Sequence, residues 1–167
     1  MGWSSAFALP REVSGYATRD FGQKPATDDQ RLMSDTFQFE IVTPEKMVVK
    51  DVAEEMQIPG KNGYLGILPG HAPLITELAV GEISYRKGGQ TYYLAVAWGF
   101  AEVLPDKVTI LAETAERPQE IDVIRAQESK RRAEETLKNG KTEADFTRAE
   151  DSLKRAETRL EVAHRTS

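Results

Sequence analysis

The order of hydrophobic and polar residues divides the chain into two parts with different periods. Between residues 36 and 112, apolar and polar residues alternate over short stretches, for example at residues 37–41 and 92–98. A period of two is typical of β-strands with one buried face. Glycine and proline separate these stretches and favour turns at residues 43–45, 60–63, 87–89 and 104–106. Several short strands with no helix between them predict an antiparallel β-sandwich.

After Pro118 the sequence is rich in Ala, Glu, Lys, Arg and Gln, which favour helices. Asn139-Gly140 divides this region into two predicted helices of about 20 residues, each about 30 Å long. Gly140 is expected to take the left-handed conformation that often follows a helix. Thr142, followed by Asp145, predicts the N-cap of the second helix.

The two patterns predict an α+β protein with a β-sandwich at residues 35–113 and an antiparallel two-helix hairpin at residues 114–167. Residues 1–34 show neither period, and we expect a disordered N-terminal extension there. Met33, which stands just before the patterned sequence, is the expected natural start. An organellar transit peptide is the alternative, and the acidic residues of this stretch count against it, namely Glu12, Asp20, Asp28 and Asp29.

Alanine dominates the predicted contact between the two helices. The second helix repeats apolar residues at alternating steps of three and four, and the first offers a matching stripe. These residues are Phe146, Ala149, Leu153, Ala156, Leu160 and Ala163, and Ala126, Ser129, Ala133 and Leu137. A seam of small side chains buries little apolar area and holds the helices weakly. Two interpretations stay open: a fixed coiled-coil appendage, and an arm that can detach.

Composition limits the function classes. The net charge of −5 argues against nucleic-acid binding, and the absence of cysteine excludes disulfides and thiolate metal sites. No apolar run approaches the ~18 residues that cross a bilayer. The sequence has no P-loop and no recognisable nucleophile–base pair, and we expect no catalytic residue, no metal and no required cofactor. His71 and His164, the two histidines, are far apart in sequence, which favours a structural role for His71.

Three segments carry a resemblance to a known family. They are GYLGILPGHAPL at residues 63–74, VAWGFAEV at residues 96–103 and VTILAETAERP at residues 108–118. In order and spacing they resemble the epsilon subunits of F-type ATP synthases and their mitochondrial delta counterparts. The family commonly has a glycine pair in the second segment, where this chain has Trp98 before Gly99, so the contact surface there is expected to differ.

The resemblance implies a non-catalytic rotor-stalk subunit of a proton-translocating ATP synthase. It implies attachment of the sandwich to the gamma subunit and to the ring of membrane c subunits, with a contact loop formed by Leu68, Pro69, Gly70, His71, Ala72 and Pro73. It also implies that the hairpin regulates ATP hydrolysis by reaching the catalytic alpha/beta head. The expected location is peripheral, on the cytoplasmic face of a bacterial inner membrane, without lipid insertion and without nucleic acid.

The start of the first helix is similar to the Ile/Leu-Asp-x-x-Arg-Ala motif of bacterial epsilon subunits that bind ATP. By position, the resemblance implies ATP as a regulatory ligand of Glu116, Asp122, Arg125, Arg132, Arg155 and Arg159. Arginine forks bind phosphate oxygens in pairs, so such a site needs no glycine-rich loop. The alternative is that these residues are ordinary solvated helix charges.

Two other functions are weighed against a stalk subunit. One is a free-standing sandwich that binds a ligand and dimerises through its helices. The other is an enzyme of unknown class.

Overall fold

The computed structural model describes residues 35–165, and the predictions about the N-terminal extension and Met33 lie outside them. Eight strands precede two helices. The strands are β1 Phe37–Val42, β2 Met47–Ala53, β3 Glu55–Gly60, β4 Gly63–Ile67, β5 Leu74–Leu78, β6 Gly81–Lys87, β7 Gln90–Val103 and β8 Lys107–Glu116. A 3₁₀ turn, Pro118–Glu120, leads to helices α1 Val123–Asn139 and α2 Glu143–Ala163.

The strands form the predicted sandwich through one continuous hydrogen-bonded path, β2-β1-β8-β7-β5-β3-β4, with β6 joined to β3 and β7. Neighbouring strands are antiparallel except for β1 and β8, which are parallel. The alternation of residues cannot show this exception, because parallel and antiparallel strands share the period of two. The β-sandwich followed by a helical hairpin is confirmed.

Strand β7 bends where it changes partners. Its first half pairs with β6 up to Val96, and its second half pairs with β5 from Gly99. Both residues at the bend have positive φ, 52° at Trp98 and 117° at Gly99. A Cβ on Gly99 would lie 1.9 Å from the Leu111 carbonyl oxygen, so glycine is required there. Trp98 is the one non-glycine residue with positive φ among residues 35–165, a conformation that costs on the order of 1 kcal/mol.

The core of the sandwich contains the residues that the alternation predicts to point inward. Phe39, Ile41, Ile83, Leu94 and Ile110 are each at most 1% exposed. The ring of Tyr85 contacts those of Phe39 and Tyr92, with centroid distances of 4.6 Å and 5.1 Å. This core gives the bend of β7 and the loops at the strand ends a rigid base.

The hairpin begins and turns as predicted, except at Gly140. Thr142 caps α2 through a reciprocal pair: its hydroxyl accepts from the Asp145 backbone N–H at 3.1 Å, and the Asp145 carboxylate accepts from the Thr142 backbone N–H at 3.2 Å. The prediction of a left-handed Gly140 is wrong, because its φ is −58°. Glycine is needed there for space: a Cβ would lie 2.7 Å from the Thr136 carbonyl oxygen.

Four of the five alanines of the predicted seam are buried, namely Ala126, Ala133, Ala149 and Ala156, and the fifth, Ala163, is partly buried. Phe146, at the tip, is 37% exposed. Helix α2 also buries Thr158 and Val162, which are outside the seam, and α2 is the helix that mainly contacts the sandwich, along β6, β7 and the 3₁₀ turn. No helix in residues 35–165 is long and apolar enough to span a membrane.

The last strand is longer than the pattern indicates. Strand β8 ends at Glu116, three residues beyond the predicted end of the sandwich at residue 113. Ala115 pairs with Val96 and is buried, so residues 114–116 belong to the sheet and not to the hairpin.

We predict that the first turn of α2 melts in acid through its cap. Hydrogen bonding from Thr142 holds the pKa of the Asp145 carboxyl below its usual range. A lowered folded-state pKa contributes stability that is present above the unfolded value of about 4 and is lost as pH falls through the folded value. Circular dichroism between pH 7 and pH 2 should therefore show an acid loss of helix that is smaller in Asp145→Asn. Identical pH profiles would contradict this prediction.

Candidate functional site

Three arginines of the C-terminal region join the hairpin to the sandwich. The Arg155 guanidinium carbon lies 4.7 Å from the ring centroid of Trp98. Arg159 forms an ion pair with Glu116, with 2.5 Å between Nε and Oε2. Arg165, just after α2, lies 3.1 Å from a Glu82 carboxylate oxygen and 5.0 Å from the Tyr93 ring centroid.

Glu116 and Arg159 are the candidate nucleotide residues that the structure pairs directly. Their side chains are 34% and 28% exposed, so the pair is partly shielded from water. Glu116 ends β8 and Arg159 lies in the last third of α2, so the pair exists only when the hairpin is folded onto the sandwich. Double-mutant cycles on partly exposed pairs of this kind typically give less than about 1 kcal/mol.

Arg125 lies beside Glu116 in an open groove of about 490 Å³ between the sandwich and the start of α1. Asp122 is the N-cap of α1 and accepts the backbone N–H of Arg125 at 3.0 Å. Asp122 therefore fixes the backbone from which the Arg125 side chain projects. The groove is lined by Thr43, Glu45, Lys46, Glu113, Thr114, Ala115, Glu116, Glu120 and Arg125.

The groove carries more acidic than basic side chains, which is unlike a preformed phosphate site. Four carboxylates line it against two cationic side chains, those of Lys46 and Arg125. The pKa of Glu120 is lowered, first by the backbone N–H of Arg117 and then by the ammonium of Lys46. Because Lys46 already pairs with Glu120 at 3.0 Å, a polyphosphate in this groove would need a second guanidinium in addition to that of Arg125.

The other two candidate arginines lie apart from this groove. Arg132 is two turns further along α1 and lines a separate open groove near the hairpin tip, with Asn139, Gly140 and Asp145. Arg155 covers Trp98, and the space between it and the sandwich is about 10 Å³, too small for a base or a phosphate. Glu116 thus pairs with Arg159 and lines the groove with Arg125, whereas Arg155 shares with Arg159 a cavity too small for a ligand and Arg132 lies near the hairpin tip.

The predicted contact loop joins β4 to β5 and forms one end of the sandwich. Gly70 has a φ of 79° and donates its backbone N–H to the Pro105 carbonyl at 2.8 Å. His71 Nδ1 lies 2.8 Å from the Ala72 carbonyl, so the imidazole bonds within its own loop. No cluster of His, Asp and Glu suited to a metal occurs in residues 35–165. Leu68 is 58% exposed and gives this end an apolar tip.

One face of the sheet carries an exposed apolar patch, which consists of Ile75, Phe100 and Leu111. These residues lie on the adjacent strands β5, β7 and β8 and are 74%, 57% and 55% exposed. Phe100 pairs directly with Leu111, and Ile75 pairs with Glu102, two residues along β7, so all three side chains lie on one face. Contiguous exposed apolar residues with a charged rim are typical of protein–protein contact sites.

Sequence reasoning missed the apolar patch and the contacts of Trp98 and Arg165. Strand alternation assigns residues to two faces, but it does not show which face is covered by the hairpin. The bend at Trp98 could have been suspected, because the family has a glycine pair where this chain has Trp98-Gly99.

Comparison with known families agrees with this architecture. Residues 36–118 match the description "ATP synthase, Delta/Epsilon chain, beta-sandwich domain", and residues 119–164 match "ATP synthase, Delta/Epsilon chain, long alpha-helix domain". The chain belongs to the delta/epsilon chain family of ATP synthases. The boundary between the two family domains falls in the 3₁₀ turn, just after β8.

Two similar proteins within the family are epsilon chains. The chain is 81% identical over 105 residues to the ATP synthase epsilon chain of Koribacter versatilis, covering 63% of this chain and 74% of the relative. It is 47% identical over 134 residues to that of Syntrophobacter fumaroxidans, covering 80% of this chain and all of the relative.

Solved structures support the fold of the family. A chain of the mitochondrial ATP synthase of Euglena gracilis, solved as an OSCP/F1/c-ring assembly, superposes with a TM-score of 0.68 at 21% identity, covering 95% of this chain and 91% of that chain. A chain from the central stalk and c-ring of the Tetrahymena thermophila enzyme gives a TM-score of 0.52 at 13% identity, covering 76% of this chain and 96% of that chain.

Proposed function

We propose that this epsilon chain is a non-catalytic subunit of the central stalk in a bacterial F-type, proton-translocating ATP synthase. Its sandwich would bind the gamma subunit and the membrane c-ring, and its hairpin would regulate hydrolysis by the alpha/beta head. The observation that carries the proposal is that the fold has two distinct parts. One is a sandwich with a buried core and an exposed apolar patch, and the other is a hairpin that makes few contacts with the sandwich. The family and the titles of the structural neighbours, which name F1, c-ring and central stalk, support it.

The apolar patch suits the gamma subunit. Glu77, Glu102 and Glu113 surround Ile75, Phe100 and Leu111 on the same face. We expect a partner surface with an apolar centre and basic side chains at its rim, because opposite charges at a rim favour association. The separate loop at residues 68–73 would face the c-ring, and the chain would then lie peripherally at the cytoplasmic face of the inner membrane.

Purification from the native membrane tests the assembly role. A stalk subunit should copurify with gamma and the alpha/beta head at fixed stoichiometry. A free-standing module that dimerises through its helices should copurify with itself alone, and that result would contradict the proposal.

We further propose that ATP regulates the hairpin through Glu116, Asp122, Arg125 and Arg159, whereas the other two candidates, Arg132 and Arg155, lie away from this groove. In the folded-back hairpin Arg159 pairs with Glu116, and Arg125 lines the same groove as Glu116, which supports a site shared by the two helices. A triphosphate would have to displace Glu116 from Arg159, and Asp122 would hold Arg125 in position. Bound ATP would stabilise the folded hairpin by RT ln(1 + [L]/Kd), about 2.7 kcal/mol at a hundredfold excess over Kd. Low ATP would then release the arm toward the head and suppress hydrolysis.

Replacing Arg125 with Ala should weaken ATP binding at least about tenfold, because a hydrogen bond to a charged group contributes about 1.5–3 kcal/mol. Alanine is a strong helix former, so α1 itself should be unaffected. Isothermal titration calorimetry with ATP measures this effect. Arg131→Ala is the matched control on the same helix, because Arg131 is exposed and pairs with Glu135, four residues on. Equal affinity in Arg125→Ala and wild type would remove Arg125 from the site, and no heat in wild type at millimolar ATP would contradict nucleotide binding.

A further inference from the structure

We propose that Trp98 and Arg155 form a clasp that holds the hairpin folded on the sandwich without any nucleotide, with the ion pairs Arg159–Glu116 and Arg165–Glu82 as its outer contacts. The clasp itself does not depend on the proposed function. Only its expected effect on ATP hydrolysis rests on the proposal that the released hairpin regulates the head.

The first support is how little else joins the two parts. The buried apolar cluster between hairpin and sandwich consists of Ala95, Ile121 and Val162, with Tyr93 and Ala163 packed against it. Two of the three buried residues have small or medium side chains, so the cluster removes little apolar surface from water. The arginine contacts are therefore a large share of what distinguishes the folded from the released hairpin.

The second support is the position of the three cations. Arg155, Arg159 and Arg165 all belong to α2 or directly follow it, and each contacts a different part of the sandwich. Two of them lie over an aromatic ring, at 4.7 Å from Trp98 and 5.0 Å from Tyr93. Indole gives the strongest cation–π attraction among the aromatic side chains, and partial burial strengthens it. The indole of Trp98 is half-buried.

The third support is the backbone of Trp98. With φ at 52°, it occupies a conformation that glycine adopts without strain and that a bulky residue avoids. The contact with Arg155 explains why an indole occupies this strained bend, because the ring provides the surface that the guanidinium packs against. The cavity that Arg155 and Arg159 line against the sandwich holds about 10 Å³, too little for a ligand. With its guanidinium over the Trp98 ring, Arg155 acts as a structural cation of the closed state.

The clasp predicts that the full-length chain is closed in the absence of ATP and opens when either member is changed. The chain has no cysteine, so Asn62→Cys and Glu150→Cys, both at exposed positions, provide a unique pair for spin labels on the sandwich and on α2. Pulsed electron–electron double resonance then measures the population of the short, closed distance. Arg155→Gln should raise the open population about three- to tenfold. Arg148→Gln, an exposed arginine on the same helix, should leave it unchanged.

The Trp98→Gly variant tests whether Trp98 holds the hairpin closed or only stabilises the sandwich. It should open the hairpin as much as Arg155→Gln does, and the double variant should open it no further, because the two residues act through one contact. The same substitution should leave the melting temperature of the sandwich unchanged or raised, because glycine relieves the strain at the bend. A hairpin that stays closed in both single variants would overturn the clasp. So would additive effects in the double variant.

Hydrolysis by the assembled enzyme distinguishes failure of the clasp from failure of the regulatory function. If an open arm suppresses hydrolysis, Arg155→Gln should lower the ATPase rate relative to wild type, and Arg148→Gln should not. Opening in the spin-label experiment without a change in ATPase rate supports the clasp and contradicts the regulatory role of the arm.

Discussion

Replacing Gly99 with Ala should destabilise the sandwich by at least about 3 kcal/mol, because two penalties add at one position. The φ of 117° is unfavourable for any residue with a Cβ, and that Cβ would lie 1.9 Å from the Leu111 carbonyl oxygen and 2.8 Å from the Ala112 Cα. Both contacts are to the backbone of β8, which cannot move aside without breaking its pairing with β7. Urea denaturation followed by tryptophan fluorescence measures the loss.

Gly66→Ala is the matched control. Gly66 lies in β4, and an added Cβ there meets nothing within 4 Å. Its free energy of unfolding should stay within about 0.5 kcal/mol of wild type. If Gly99→Ala were as stable as Gly66→Ala, the close approach of Gly99 to the β8 backbone at the bend of β7 would be contradicted.

Replacing Phe100 with Asp should abolish gamma binding at micromolar concentration and leave the sandwich folded. Phe100 is 57% exposed and central to the apolar patch, and aromatic residues in such positions commonly contribute 2 kcal/mol or more, about thirtyfold in affinity. The new carboxylate would also join the acidic rim of Glu77 and Glu102. Capture of purified gamma on the immobilised chain measures the effect.

Val52→Asp is the control for this experiment. Val52 is 39% exposed on β2 and lies away from β5 and β7 in the sheet. It should bind gamma as wild type does. Equal loss in both variants would show a general effect of added charge, and equal binding in both would remove the patch from the gamma contact.

The sequence predicts those features that depend on neighbours along the chain. Alternation identifies the buried residues of the sandwich, such as Phe39 and Ile110, and the spacing of alanines identifies the seam of the hairpin. The cap of α2 follows from Thr142 and Asp145, which are three residues apart. Each of these depends on a local period or a local hydrogen bond.

The position of Gly140 after a helix predicts a left-handed backbone, whereas its close approach to the Thr136 carbonyl explains the glycine.

Features that depend on residues distant in sequence are not predicted by local spacing. Shared helix faces group the candidate arginines, but in the folded hairpin Arg155 lies over Trp98, away from the groove of Arg125, because α2 lies against the sandwich. Which face of a helix pair meets a sheet is a tertiary property that spacing alone does not contain.

The regulatory role of the hairpin is tested by the ATPase rate of a purified alpha/beta/gamma head, measured with the full chain and with a chain that ends at Pro118. The shorter chain keeps all of β8 and the whole sandwich core, so it should still bind gamma. We expect the full chain to slow hydrolysis at low ATP. The shorter chain should bind equally well and leave the rate unchanged. Equal rates with the two chains, or no binding of either, would contradict that role.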